Sequence, residues 1–521
     1  MDLLTRCSVF GISHPHIPGA TVDYLHAMMV HDVSTYVPES SYINHGPINV
    51  TDASFCLVSL GYTHIHHTEL VNVQVWLPTD PWNGRLMGLG GGGFHCGLYP
   101  QNMMAMLGAV GEGYTAVSTD CGHTMLQDLS DWLLEYPGRV DLHLLEDFAS
   151  VSLNDAALIG KSVAKSFYNR EPIYSYFSGC SQGGRQGMML AQRYPTAFDG
   201  IVASSPAIYW AEILVSGFWT QLIMNQLDMY PKSCELDYLT KMAVRACDDL
   251  DGVVDGIVTE IDACSFDAFD LVGKHFPCGN QTVMLSESAA IVASAAWQGS
   301  FSMDGDNLWP GVDIVSNLTS PLSSQCSSSG NCTGMPVICS SEWIRLAIKK
   351  NPEFDLASVT QDEFMRIFNA SVVEYTYIIG TNDPDLTEFR NHGGKILSFH
   401  GLADPMVPSR GTRRYYEAVA GIDPRVRNYY RHFEAPGLGH CWSPSGLYPS
   451  TIFDDMVAWV EQGREPSYLP ASFLDENGTE HEGILCPYPE RAVYNRVGDP
   501  LSRKSYFCAA ETLDLLDKDD L

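Results

Sequence analysis

Residues 177–186 read FSGCSQGGRQ. Gly179-Cys180-Ser181-Gln182-Gly183 fits G-x-S-x-G, with the β-rich run IYSYF (173–177) before it and the helix-like MMLAQRYP (188–195) after it. Strand, sharp turn and helix start, in that order, are the setting of a nucleophile elbow. A serine there sits on a strained turn that only small neighbours permit, with Oγ lifted above the sheet and the next residue's N–H aimed at a developing oxyanion. The bland alternative is a plain glycine turn. The flanking strand and helix favour Ser181 as a nucleophile.

The segments before this turn alternate strand and helix. VNVQVWLP (71–78) alternates apolar and polar residues, RLMGLGGGGF (85–94) is an apolar run breaking into glycines, and GYTAVSTDCG (113–122) is another short strand-like run. NDAALIGKSVAKSFY (154–168) carries apolar residues at helical spacing. This alternation predicts a mostly parallel sheet with helices on both faces. After about residue 205 the character changes to an aromatic-rich helical stretch (210–229), an acidic loop CDDLDGVVDGIVTEIDAC (247–264) and a Ser/Cys/Asn-rich stretch near 315–340. Strand and helix signals return at GGKILSFHG (393–401) and SRGTRRYYEAVAG (409–421). The expected architecture is therefore an α/β-hydrolase fold, with residues 1–204 and 391–521 as catalytic core and 205–390 as a large inserted lid domain.

A serine nucleophile needs a base and a group to orient it, and in α/β-hydrolases the chain order is Ser, acid, His. Asp404 follows a predicted strand in SFHGLADPMVP (398–408), and His440 lies in the glycine-flexed APGLGHCW (435–442). An imidazole near neutral pKa can take the serine proton and return it, while the carboxylate fixes its tautomer. His400 reads as a strand terminator rather than the base. The glycine run Gly90–Gly93 follows a predicted strand, where such hydrolases place their second oxyanion donor. The first donor is expected to be the N–H of Gln182 and the second that of Gly92 rather than Gly91. No GK[ST] follows the run, so a phosphate loop is disfavoured.

Cys180 precedes the serine and Cys441 follows the histidine. Side chains of an active pair approach within ~3 Å, so their neighbours come within disulfide reach, roughly 5.5 Å between Cα atoms. Such a bridge would stabilise by roughly 5 kcal/mol on the chain-entropy model. Two unrelated cysteines are the alternative.

Composition sets the outer bounds. The 521 residues carry 62 Asp+Glu against 30 Lys+Arg, a net charge of −32, which argues against nucleic-acid or anionic-membrane partners. No stretch reaches ~18 consecutive apolar residues, as a membrane span would. Fifteen cysteines leave at least one thiol unpaired. Six N-x-S/T sequons, at Asn49, Asn280, Asn317, Asn331, Asn369 and Asn477, join the cysteines in pointing to an oxidising, secretory environment. The opening MDLLTRCSVFGISHPHIP has no basic-then-apolar leader, so the expectation of secretion rests on those two features.

Taken with these motifs, the sequence resembles the tannase and feruloyl esterase family of serine hydrolases. The resemblance runs nearly end to end through WLPTDPWNGRLMGLGGGGF (76–94), GYTAVSTDCGH (113–123), SGCSQGGRQGMMLAQRYPTAFDGIVASSPA (178–207), CDDLDGVVDGIV (247–258), HGLADPMVP (400–408) and GHCW (439–442). It implies Ser181, Asp404 and His440 as a triad and a Cys180–Cys441 disulfide. Read from residues alone, DDLDGVVDGI (248–257) gathers carboxylates among glycines, as Ca²⁺ requires, but fails as an EF-hand because Val253 and Val254 occupy ligand positions. A solvated turn is the alternative. The resemblance implies a structural calcium site, with Asp248, Asp251 and Asp255 ligating by side chain and Val253 and Ile257 by carbonyl. Cys247 and Cys264 flank the loop and could bridge it. No organic cofactor is expected. The implied activity is hydrolysis of small aromatic esters, hydroxycinnamoyl or feruloyl, through an acyl-enzyme. The alternatives are galloyl esters, or ester, lactone or acyl-transfer chemistry in small-molecule biosynthesis.

Overall fold

The computed structural model describes residues 3–326, 332–475 and 477–510; the sequon at Asn331 lies outside them. Among the described residues nine strands form one sheet: β1 (Ala20–Val37), β2 (Ile48–His64), β3 (Val71–Pro78), β4 (Arg85–Leu89), β5 (Thr115–Thr119), β6 (Tyr174–Cys180), β7 (Gly200–Ser204), β8 (Lys395–Gly401) and β9 (Tyr430–Ala435). Their spatial order is β1-β2-β3-β5-β4-β6-β7-β8-β9. The first three and β5 pair antiparallel, and from β5 to β9 every pairing is parallel. The sheet is thus mixed α/β: the strands from β5 to β9 are parallel as expected, whereas the strand at 71–78, read among the same alternating segments, pairs antiparallel on both sides.

Alternate residues of the parallel strands enter two cores. Tyr176, Val202, Leu397 and Phe433 face helices α1 (Pro100–Gly111) and, late in the chain, Ile452–Gln462. Phe177, Ile201, Ile396 and Tyr430 face the opposite layer. That layer contains α2 (Leu142–Ala149), α3 (Val151–Tyr168), α4 (Gln182–Arg193) and α5 (Ser409–Ile422). Strands buried on both faces need continuous apolar runs, which is why these segments were legible.

Residues 205–394 leave the sheet between two neighbouring strands, because Lys395–Phe399 of β8 pairs with Gly200–Ser204 of β7. Among the described residues, this segment adds helices and three two-stranded ribbons but no strand of the large sheet. Part of it has a core of its own around Leu236, Leu239, Leu285, Ala289 and Val292. Its ends, including Trp210, Phe218, Trp343 and Phe389, pack into the core beneath the sheet. The helical run expected at 210–229 is two helices, Trp210–Ser216 and Trp219–Leu227.

Disulfides join Cys7 to Cys56, Cys96 to Cys121, Cys180 to Cys441, Cys234 to Cys278, Cys247 to Cys264 and Cys486 to Cys508. Cys339 carries a free thiol. The acceptor asparagines of the five described sequons are all exposed. Among the described residues no helix is long and apolar enough to cross a membrane.

Candidate active site

β4, β6, β8 and β9 run parallel, so the loops after Leu89, Cys180, Gly401 and Ala435 emerge at one end of the sheet. Carboxyl ends of parallel strands are where open α/β sheets form their binding crevices. Ser181 sits on the turn between β6 and α4 with φ 61° and ψ −121°, a conformation costly for a residue with a side chain. Glycines make room for it. A Cβ on Gly179 would stand 2.5 Å from the Gly183 carbonyl, and one on Gly183 would stand 2.8 Å from the Gly91 carbonyl oxygen. Ser181 N–H donates to Ser204 O at 3.0 Å, tying the turn to β7.

The candidate acid and base lie in the loops after β8 and β9. Asp404, after β8, is buried and accepts Met406 N–H at 2.8 Å and Val407 N–H at 3.0 Å on Oδ1. Its Oδ2 stands 2.7 Å from His440 Nδ1 and 3.2 Å from His400 Nε2. Burial alone would raise the pKa of Asp404; the two imidazoles more than reverse this and hold it below the usual carboxylate range. Burial likewise pulls His440 down, but the Asp404 charge outweighs it and the imidazole pKa lies above its ordinary value. The Cys180–Cys441 bridge, with Cα atoms 5.8 Å apart, fixes the serine turn to the histidine loop.

The structure corrects the expected oxyanion glycine. Gly92 N–H donates to His95 O at 3.1 Å while His95 N–H donates back to Gly92 O at 2.9 Å, so a tight local bridge consumes the group. Gly90 N–H is bonded to Ser178 O and Gly91 N–H to Gln186 Oε1. Gly93 N–H is left without an acceptor among the described residues, as is Gln182 N–H at the start of α4. The Gln182 side chain is held from behind, its Oε1 taking Arg185 Nε–H at 2.6 Å. Fully buried Arg185 also donates to the carbonyls of Phe148 and Ala149.

These groups border a cavity of about 540 Å³ lined by Gly90–Gly93, Ser181, Gln182 and His440, and walled by the inserted segment through Trp210, Trp219 and Trp309. Ser181, His440, Gln182 and the glycine run therefore share one chamber, with Asp404 behind the histidine.

The acidic loop lies elsewhere, closed by the Cys247–Cys264 bridge. Each carboxylate caps a local turn. Asp248 Oδ1 accepts Gly256 N–H at 2.9 Å, Asp251 Oδ1 accepts Val253 N–H at 3.0 Å, and Asp255 Oδ1 accepts Ile257 N–H at 3.0 Å. Burial, then the neighbouring carboxylates, push Asp251 up to about 6 and raise Asp255. None of the three forms an ion pair with a described residue, so the donor chemistry suits a hard cation. However, among the described residues no three His, Cys, Asp or Glu side chains are gathered to hold a metal. A cation here would also need the carbonyls of Val253 and Ile257. The loop packs against the active-site loops: Ile257 meets Gly437, three residues before His440, and Val258 packs with Leu402, two before Asp404.

A family model described as tannase and feruloyl esterase matches residues 60–509. The chain is 37% identical over 510 residues to a probable feruloyl esterase of Arthroderma benhamiae, covering 96% of this chain and 93% of that protein. It is 27% identical over 504 residues to a tannase of Aspergillus oryzae, covering 86% and 84%. Among solved structures, tannin acyl hydrolase from Aspergillus niger superimposes with a TM-score of 0.85 at 27% identity, covering 95% of this chain and 92% of that one. Feruloyl esterase B from Aspergillus oryzae does so with a TM-score of 0.77 at 26% identity, covering 95% and 97%.

Proposed function

The chain belongs to the tannase and feruloyl esterase family and is a carboxylic-ester hydrolase, and from that premise we propose that it is a secreted serine esterase cleaving phenolic acyl esters, hydroxycinnamoyl esters first. Ser181 Oγ attacks the ester carbonyl while His440 takes its proton. Asp404 holds the imidazole by Nδ1 and stabilises its charged form. The N–H groups of Gln182 and Gly93 receive the oxyanion. His440 then protonates the departing alcohol, and water, activated by the same imidazole, releases the acid from the acyl-enzyme.

The observation that carries this reading is the 2.7 Å contact of His440 Nδ1 with Asp404 Oδ2, in a histidine loop bridged to the serine turn at the cavity. Residues 205–390 serve as the lid that walls that cavity. The disulfides and exposed sequons support export and glycosylation. A structural Ca²⁺ at 248–257, held by Asp248, Asp251 and Asp255 with the carbonyls of Val253 and Ile257, would relieve the crowding of its carboxylates.

A second reading, cleavage of galloyl esters, is favoured by the higher TM-score to tannin acyl hydrolase, whereas the higher sequence identity favours feruloyl esters. Turnover of methyl ferulate, methyl caffeate, methyl sinapate and methyl gallate by one purified sample separates them, with Ser181→Ala as control. Undiminished hydrolysis by that variant would refute the mechanism.

A further inference from the structure

The chain carries 62 acidic and 30 basic side chains, yet the cavity over Ser181 is walled by neutral ones. Among the described residues its lining is glycine, apolar residues such as Ile213, Leu214 and Val337, tryptophans, and small uncharged polar groups. Its titratable members other than His440 are also kept neutral: burial pushes the Cys339 thiol up to about 11 and the Tyr99 hydroxyl up to about 12. Two arginines near the lining stand against its tryptophan rings. Arg185 lies 5.8 Å from the centre of the Trp210 ring with its N–H groups spent on protein acceptors, and Arg414 lies 5.9 Å from the centre of the Trp309 ring. At the rim, Glu39 accepts Trp442 Nε1–H at 3.1 Å, adding negative charge.

We propose that this chamber takes esters that are uncharged on both sides of the scissile bond and rejects those bearing a carboxylate on either the acyl or the alcohol part. A carboxylate entering it would lose its water without gaining a cationic partner, a cost neutral hydroxyl and ether oxygens do not meet. The one group able to become cationic is His440. A carboxylate beside it would favour the imidazolium, the form that cannot accept the serine proton. The inference rests on Ser181 being the nucleophile of an ester hydrolase, and it deepens that reading by naming the charge class of the substrate.

The test compares methyl caffeate, the caffeoyl ester of quinic acid, and that ester's own carboxyl methyl ester. All three share one acyl group, and the last two differ only by the charge. At about pH 7 the phenols are neutral and the carboxylate is ionised. About 0.5 M salt screens the long-range repulsion from the net charge. The free acid is expected to show a kcat/KM roughly 100-fold below its methyl ester, with the ester close to methyl caffeate. A ratio of free acid to methyl ester within about threefold overturns the proposal, as does a large ratio that disappears in salt, which would assign the effect to net charge rather than to the wall. If no hydroxycinnamoyl ester is hydrolysed, the acyl assignment above fails by itself. The same comparison on p-nitrophenyl hexanoate and the p-nitrophenyl monoester of adipic acid then decides the charge rule independently.

Discussion

His400 is bonded to Asp404 through the same carboxylate oxygen that orients His440: Nε2 of His400 stands 3.2 Å from Asp404 Oδ2, and Nδ1 of His440 stands 2.7 Å from it. His400 Nε2 also faces Val407 O at 2.9 Å, and since both neighbours are acceptors, this nitrogen carries the proton. Nδ1 lies 2.8 Å from the Thr412 hydroxyl. A fully buried imidazole with both nitrogens committed is no general base; it holds the acid in place. The neighbouring His432 does not compete, since burial lowers its pKa to about 3, and Arg413 is paired with Glu434.

Replacing His400 by Phe is therefore expected to lower kcat by about 10- to 100-fold with KM little changed, because the Asp404–His440 alignment loosens. Losing a donor also makes the carboxylate more basic toward His440, so the acid limb of the kcat/KM profile should move to higher pH. His400→Gln keeps an N–H donor and should restore the limb. Equal profiles for parent and Phe variant would reduce His400 to packing.

The bridge between Cys180 and Cys441 predicts a different signature. Replacing both by Ala frees the histidine loop from the serine turn across 261 positions. The expected outcome is a fall in kcat of up to about 100-fold, with stability lowered by as much as roughly 5 kcal/mol. Kinetics on the folded variant, beside a non-reducing peptide map of the parent, measures both. A map pairing either cysteine elsewhere, or a variant with unchanged kcat, defeats the idea.

Local motifs were readable because their physics is local. The G-x-S-x-G turn, the Asp404 loop and the His440 loop each sit at the end of a short apolar strand, and their chain order supplied the pairing. The hairpin formed by β1 and β2 was not readable. β1 is an edge strand with only Leu25 and Val37 buried, so it has no continuous apolar face to signal itself. The bridge of Gly92 to His95 is a backbone event that a glycine run does not encode, so the run alone does not tell which N–H stays free. His400 reads as a strand end in the sequence because its bond to Asp404 depends on how the loop folds back. The packing of Ile257 on Gly437 joins segments far apart in the chain, and no periodicity announces it.

A second histidine governs stability. His64, at the end of β2, lies between two carboxylates, 3.0 Å from Asp155 Oδ2 and 3.6 Å from Asp147 Oδ1. The Asp147 and then the Asp155 carboxylate raise its pKa to about 10, while burial raises that of Asp147. A pKa raised on folding contributes stability that is fully present below the unfolded value, about 6.5, and is lost as pH rises toward 10. The contribution is on the order of a few kcal/mol at most, since His64 is partly solvated. Melting temperature should fall more steeply from pH 6.5 to 9.5 in the parent than in His64→Gln, and the difference between the two curves removes other alkaline titrations. Parallel curves would show that the histidine is not charged in the folded protein.

The last prediction concerns calcium at residues 248–257. Distance along the chain from Ser181 makes this loop look remote, but its hydrophobic residues prop both active-site loops, Ile257 against Gly437 and Val258 beside Leu402. An ion bound by Asp248, Asp251 and Asp255 would stabilise the fold by linkage, growing as RT ln(1 + [L]/Kd). Chelation is therefore expected to lower the melting temperature, and Asp251→Asn to do the same. Because the props reach the acid and base loops through packing alone, kcat of the still-folded fraction should fall by no more than about tenfold, with no shift in its acid limb. Oxygen donors without a nitrogen or sulfur ligand suit a structural ion rather than one that generates hydroxide. Complete loss of kcat on chelation, at a temperature where circular dichroism shows an intact fold, would place the ion in the reaction. A melting temperature indifferent to both calcium and chelator would instead leave the acidic loop as a set of capped turns.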